Sequence, residues 1–188
     1  MKTDFKILLD MDGVICDFVG TWCCWKQLAN PYVAGQNAGK WNMAEIFGME
    51  PEEFWEPCNH SDFWAHMDWT RDGMSILKIC EQSVGEKSVH ILTSPSMSPN
   101  AWKGKAEWIA EHLPQYRSRL LMGPCKYLCA NRGHILVDDG DHNVKAFREA
   151  GGVAVTVPRA WNELHHVSVE PANVQLEYIK ALIYGATE

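Results

Sequence analysis

The 188-residue sequence is poor in basic residues, with 17 Lys and Arg against 24 Asp and Glu and a formal net charge of -7. That balance excludes a general nucleic-acid coat, because phosphate backbones are gripped by clustered Lys and Arg. It leaves room for one small phosphorylated ligand. No apolar stretch approaches the ~18 residues of a membrane span, so no membrane partner is expected. The opening Met1-Lys2-Thr3-Asp4-Phe5 carries an acid and then only a short apolar run, unlike a secretory leader. The seven cysteines form no framework: their number is odd, Cys23 and Cys24 are adjacent, and Cys125 and Cys129 lie four apart. Adjacent cysteines rarely pair with each other, so reduced thiols in a cytoplasmic protein are expected. The eight histidines show no zinc-ligand spacing, and no repeat or low-complexity tract is visible. What is present is 46% hydrophobic residues in a chain long enough for one domain with a sizeable core.

Short apolar runs recur along the chain. Phe5-Lys6-Ile7-Leu8-Leu9 ends at Asp10; similar runs are Val89–Leu92, Arg119–Met122, His134–Val137 and Val153–Val157. Continuous apolar runs of this length fit strands buried on both faces. Helical patterns fall between them. Ser98-Pro99 is a cap and first-turn pair, followed by Trp102, Ala106, Ile109 and Leu113 at helical spacing. Asp141 is a candidate cap for a short helix with Val144 and Phe147 inward, stopped by Gly151-Gly152. Strands alternating with helices predict an α/β fold with a Rossmann-like, doubly wound, parallel five-stranded sheet. The stretch between the first two strands is too long for one crossover helix and holds six of the nine tryptophans, with helical patterns at 17–28 and 73–84. It reads as a small helical cap inserted after the first strand, residues 17–87, on a core of residues 1–16 and 88–188.

Chemistry concentrates at the strand ends. Asp10-Met11-Asp12-Gly13-Val14 follows the first strand directly, and packing explains two carboxylates there poorly. The second strand runs into Thr93-Ser94-Pro95 and the fourth into Asp138-Asp139-Gly140, with Lys126 shortly before it. In a parallel sheet these carboxyl ends converge on one edge. Four acids gathered there repel one another and call for a divalent cation, and oxygen-only ligands favour Mg2+. Lys126 and Thr93 then offer positive charge and a donor for a phosphate.

The order Asp10-x-Asp12-Gly13-Val14, Thr93-Ser94, Lys126, Asp138-Asp139 resembles the four motifs of the haloacid dehalogenase-like phosphohydrolase superfamily over nearly the whole chain. Asp17-Phe18, the Thr-Ser-Pro segment before Gly104–Leu113, and Asp62-Phe63-Trp64 are similar in detail to the 5′(3′)-deoxyribonucleotidases. The resemblance implies a phosphoric monoester hydrolase. Asp10 would be the nucleophile that forms an aspartyl-phosphate. Asp12 would protonate the leaving oxygen and then activate water. Mg2+ would be held by Asp10, the Asp12 carbonyl and Asp138, with Asp139 close by. Thr93 and Ser94 would hold phosphate oxygens, and Lys126 would bind phosphate and neutralise the transferring group. The acid at Asp12 favours a phosphatase over a dehalogenase, since the carbon–halogen enzymes of the superfamily lack it. The chain departs from the pattern at Gly140, where a basic residue is common. It also has Ser96-Met97 where a Lys is usual, with Lys103 and Lys105 only further on.

Phe18, Trp41 and Trp64 are candidates for an aromatic slot against a nucleobase, although core packing is the commoner role of any one cap tryptophan. The acidity is local: residues 40–72 hold eight acids and two bases, whereas residues 88–132 hold six bases and two acids. An acidic cap repels a long phosphate backbone, so a polynucleotide is disfavoured and a small nucleotide is the expected partner. The expectation is therefore a Mg2+-dependent nucleoside monophosphate phosphatase, with deoxyribonucleotides as substrates and the 5′ or 3′ position open. The alternatives are a phosphatase of another small metabolite or of polynucleotide 3′-ends, and a non-catalytic module on the same fold. A homodimer stays open.

Overall fold

The computed structural model describes residues 5–187; the opening Met1–Asp4, read above for a leader, lies outside them. Five strands, β1 (Lys6–Leu9), β2 (Val89–Thr93), β3 (Leu120–Met122), β4 (His134–Asp138) and β5 (Val153–Thr156), form one sheet in the order β3-β2-β1-β4-β5. All four pairings are parallel, with Leu8 beside His90 on one side and Leu136 on the other. The expected sheet is present, and the three inner strands are buried almost throughout.

Nine α-helices are described: α1 (Phe18–Lys26), α2 (Met43–Phe47), α3 (Pro51–Trp55), α4 (Ser61–Ala65), α5 (Gly73–Val84), α6 (Pro99–His112), α7 (Asp141–Glu149), α8 (His165–Ser168) and α9 (Ala172–Ala186). Alternation of side chains along the strands feeds two layers. Ile7, Leu9, Ile91, Ile135, Val137 and Val155 pack on one face with residues of α5, α6 and α9. Leu8, Leu92, Leu136 and Ala154 pack on the other with Val144 and Phe147 of α7. Five helices fall between β1 and β2, and their Trp22, Phe54, Phe63 and Trp64 belong to the same apolar cluster as the sheet's first layer.

Side chains cap helix N-termini, and the Ser98-Pro99 start is the one the sequence suggests. The Asp17 carboxylate accepts from the Gly20 amide at 2.8 Å and caps α1, and Ser98 caps α6 with Pro99 in its first turn. One expectation is corrected, and one element is new. Gly140, not Asp141, stands at the cap position of α7; Asp141 is the first helical residue, and its carboxylate accepts from the Glu163 amide at 2.9 Å. The long C-terminal helix α9, which buries Gln175, Ile179 and Ile183, has no counterpart among the expected elements.

Candidate active site

The polypeptide leaves β1 at Asp10, whose amide still bonds to Val137 across the sheet, and then turns sharply. Gly13 makes that turn with φ +73°, and a Cβ there would lie 2.7 Å from Cγ of Asp139. Glycine is thus required twice, for the left-handed backbone and for the close approach of β4's paired aspartates. Residues 14–17 are strapped to the segment before α5: Thr70 Oγ1 donates to the Val14 carbonyl at 2.6 Å, and the Asp17 amide donates to Asp68. From the far side Arg159 donates to the carbonyls of Gly13 and Val14 and pairs with Asp72 at 2.8 and 2.9 Å, all of it buried.

This frame gathers Asp10, Asp138 and Asp139, each of which brings one carboxylate oxygen within 4.8 Å of the other two. Lys126, also buried, reaches Asp10 Oδ1 at 2.7 Å and Asp138 Oδ2 at 2.6 Å. Asp138 Oδ1 accepts from the Gly140 amide, and Asn143 Nδ2 lies 3.2 and 3.3 Å from the two Asp138 oxygens. Asp139 is tethered from its other end: Trp161 Nε1 donates to Oδ2 at 2.6 Å and Asn162 Nδ2 to the main-chain oxygen at 2.9 Å. Burial, then repulsion from Asp138, pushes the Asp10 carboxyl well above its ordinary range, against the pull of Lys126. The same two causes push Asp139 up to about 7, with Trp161 and Arg159 opposing. Burial pulls the Lys126 ammonium down, but Asp10 and Asp138 more than offset it, and the net shift is upward. So Lys126 stays charged between Asp10 and Asp138.

The cluster lines a cavity of about 790 Å3 whose lining comes from before, within and after the chain's long insertion. Phe18, Phe54, Trp55 and Trp64 form one aromatic wall; Phe18 stands 5.8 Å from Trp64 and 6.3 Å from Trp55, centroid to centroid. Tyr32, Trp41 and Trp161 form another, with Trp41 more than half exposed and 5.9 Å from His142.

A family profile described as 5′ nucleotidase, deoxy (Pyrimidine), cytosolic type C protein matches residues 4–175. The chain belongs to this family. It is accordingly a phosphoric monoester hydrolase of the haloacid dehalogenase-like type. Two curated relatives named 5′(3′)-deoxyribonucleotidase, from Bacillus subtilis (strain 168) and Bacillus phage SPbeta, are each 20% identical over 173 residues, covering 87% of this chain and 91% of their own. Among solved structures, a HAD hydrolase, family IA, variant 3 from Entamoeba histolytica HM-1:IMSS aligns with a TM-score of 0.51 at 11% identity. It covers 94% of this chain and 99% of its own, and the likeness concerns the fold.

Most of the residues singled out in this nucleotidase sequence meet at the cavity: Asp10, Asp12, Phe18, Trp41, Trp64, Ser94, Lys126, Asp138 and Asp139 all line it. Thr93 does not. It is fully buried at the end of β2, and its hydroxyl accepts from Lys105 at 3.0 Å. Asp12 stands apart from the acidic triad, with its carboxylate on Lys105. The sequence reading assigned no role to Lys105, Asn143, Arg159, Trp161 or Asn162. Trp161 and Arg159 follow β5, so the convergence of parallel strand ends was the one available signal for them.

Proposed function

We propose that this chain dephosphorylates nucleoside monophosphates, deoxyribonucleotides in particular, with Mg2+ and through an aspartyl-phosphate on Asp10. The observation that carries the reading is the buried triad Asp10, Asp138 and Asp139 around Lys126, lining a cavity with aromatic walls. The donor set fits the ion: three buried carboxylates that bring one oxygen each within 4.8 Å, oxygen ligands only, with Asp10 and Asp139 driven upward by burial and by repulsion from Asp138. Asp10, Asp138, Asp139 and the Asp12 carbonyl would hold it. When bound, the ion supplies charge neutralisation for the acids and the phosphoryl oxygens.

The remaining chemistry belongs to the chain. An Asp10 oxygen attacks phosphorus as the bond from phosphorus to the nucleoside oxygen breaks, and Asp12 delivers its proton to that oxygen. Water then attacks the aspartyl-phosphate, gives its proton to Asp12, and the bond between phosphorus and Asp10 breaks, releasing inorganic phosphate. Lys126 holds the Asp10 carboxylate in place and carries positive charge beside the transferring group. The Ser94 side, at the carboxyl end of β2, is where phosphate oxygens would be received.

Residues 17–87 act in this reading as the cap over a core of 1–16 and 88–188. In support, they contribute Phe18, Val19, Tyr32, Met43, Phe54 and Trp64 to a cavity that the acidic cluster also lines. A volume of about 790 Å3 suits a small ligand. The acids at 40–72 favour one phosphate over a polymer. The deoxy preference rests on the family description and the names of the two Bacillus relatives. The test is phosphate release from a panel of 5′- and 3′-nucleoside monophosphates, with Mg2+ and with EDTA. Release from deoxyribonucleotides that EDTA abolishes is expected; no release from any monophosphate overturns the proposal.

A further inference from the structure

The mechanism above gives no part to the buried Lys105. Lys105 lies in α6, and its side chain is wholly enclosed. Its Nζ stands 2.6 and 2.5 Å from the two Asp12 oxygens and 3.0 Å from Thr93 Oγ1, and the Trp64 ring covers it at 4.5 Å from the centroid. These contacts account for the three donors of an ammonium group and add an aromatic face. The arrangement depends on Gly104: a Cβ there would lie 2.7 Å from Cβ of Trp64 and 3.1 Å from the Ala65 amide. Without it, α4 lies directly against α6 and lays Trp64 over Lys105.

Stability alone is a weak reason for such a pair, since a buried ion pair is often no more stabilising than apolar residues of the same volume. The pair is also lopsided. Lys105 is fully enclosed, whereas a quarter of the Asp12 side chain is exposed and lines the cavity. The second cation, Lys126, is fully engaged with Asp10 and Asp138. The two lysines therefore divide four carboxylates into a triad around Lys126 and one separate acid on Lys105.

We propose that Lys105 is the positioning residue for the proton-transferring carboxylate. It grips Asp12 from behind, keeps it out of the Asp10–Asp138–Asp139 cluster and fixes it toward the leaving oxygen. Trp64 has two duties, as cavity wall and as the seal that keeps water from Lys105. The proposal rests on Asp12 being the acid and base of the reaction described above.

Lys105→Met keeps the stem and removes the charge. With a nucleoside monophosphate, kcat is expected to fall about 100-fold or more, the scale of a lost general acid, with little change in KM. With an aryl phosphate, whose leaving group needs no proton, the first step survives and the second does not. A rapid burst of one equivalent of phenol followed by slow turnover is expected. In an Asp12→Asn background the same substitution should add no further loss, because both changes disable one group. Independently of turnover, a crystal structure of Lys105→Met should show the Asp12 carboxylate displaced. An unmoved carboxylate, losses that multiply in the double variant, or equal losses on both substrates without a burst would each overturn the proposal. Should Lys105→Met fail to fold, Lys105→Gln, which keeps a donor for Thr93, carries the same readouts. A wild-type protein that releases no phosphate refutes the function proposed above, while the position of Asp12 in the variant crystal still decides the role of Lys105.

Discussion

Replacing Gly13 by Ala probes how closely the turn after β1 is fitted to the paired aspartates of β4. The backbone at φ +73° costs an L residue about 1–2 kcal/mol. The new methyl also meets Asp139, 2.7 Å from its Cγ, and Asp139 has nowhere to retreat. Trp161 holds its carboxylate at 2.6 Å, Asn162 holds its main-chain oxygen at 2.9 Å, and the residue is buried. Overpacking of this kind adds about 1–3 kcal/mol. At roughly 2–4 °C per kcal/mol for a domain of this size, Tm should fall by about 4–20 °C. The larger consequence concerns the cation. At one hundred times its Kd a ligand stabilises the native state by about 2.7 kcal/mol, which raises Tm by about 5–11 °C. Wild type is expected to show a Mg2+-dependent rise of that order in scanning calorimetry, and Gly13→Ala to lose most of it because the displaced Asp139 no longer faces Asp10 and Asp138. A variant that melts with wild type and keeps the full Mg2+ shift would refute the reasoning.

Phe18→Ala opens the aromatic wall shared with Trp55 and Trp64. Base stacking worth about 1–3 kcal/mol predicts a loss of roughly 5- to 150-fold in kcat/KM for a deoxyribonucleotide, with a smaller loss for an aryl phosphate; equal losses on the two substrates would sink the stacking role. Arg159→Met strands the buried Asp72 carboxylate and frees the carbonyls of Gly13 and Val14. A destabilisation of about 3–5 kcal/mol is expected in urea titrations, and an unchanged midpoint would show that the strut carries no load.

The sheet was legible because strands buried on both faces leave continuous apolar runs, and the motif acids because parallel strands deliver their ends to one edge. The failures have specific causes. β2 extends one residue beyond its apolar run, through Thr93, and the hydroxyl expected on phosphate is bonded to Lys105, a partner the run itself does not signal. Lys105 and Asp12 lie 93 residues apart, and their contact depends on how α4 seats against α6 at Gly104, which no local pattern encodes. Local pattern alone makes Asp141 a cap, yet the amide of Glu163, brought over from beyond β5, claims its carboxylate. The aromatic residues between β1 and β2 look alike in sequence. In the folded chain Trp22 is enclosed, Trp64 is enclosed yet reaches the cavity, and Trp41 stands at its rim, a division set only by packing.

The strand order also bears on how the chain comes into being. β1 is the central strand, and both of its neighbours, β2 and β4, are made later. It emerges from the ribosome first and waits some 80 residues for β2 and some 125 for β4. At about 5–20 residues per second the first wait alone lasts on the order of 4–16 s. For that interval Ile7, Leu8 and Leu9 have no sheet to enter, and Asp10 and Asp12 are ordinary solvated carboxylates. The acids are thus forced together only when β4 docks, so the repulsive cluster cannot form until the insertion and its aromatic residues have been made.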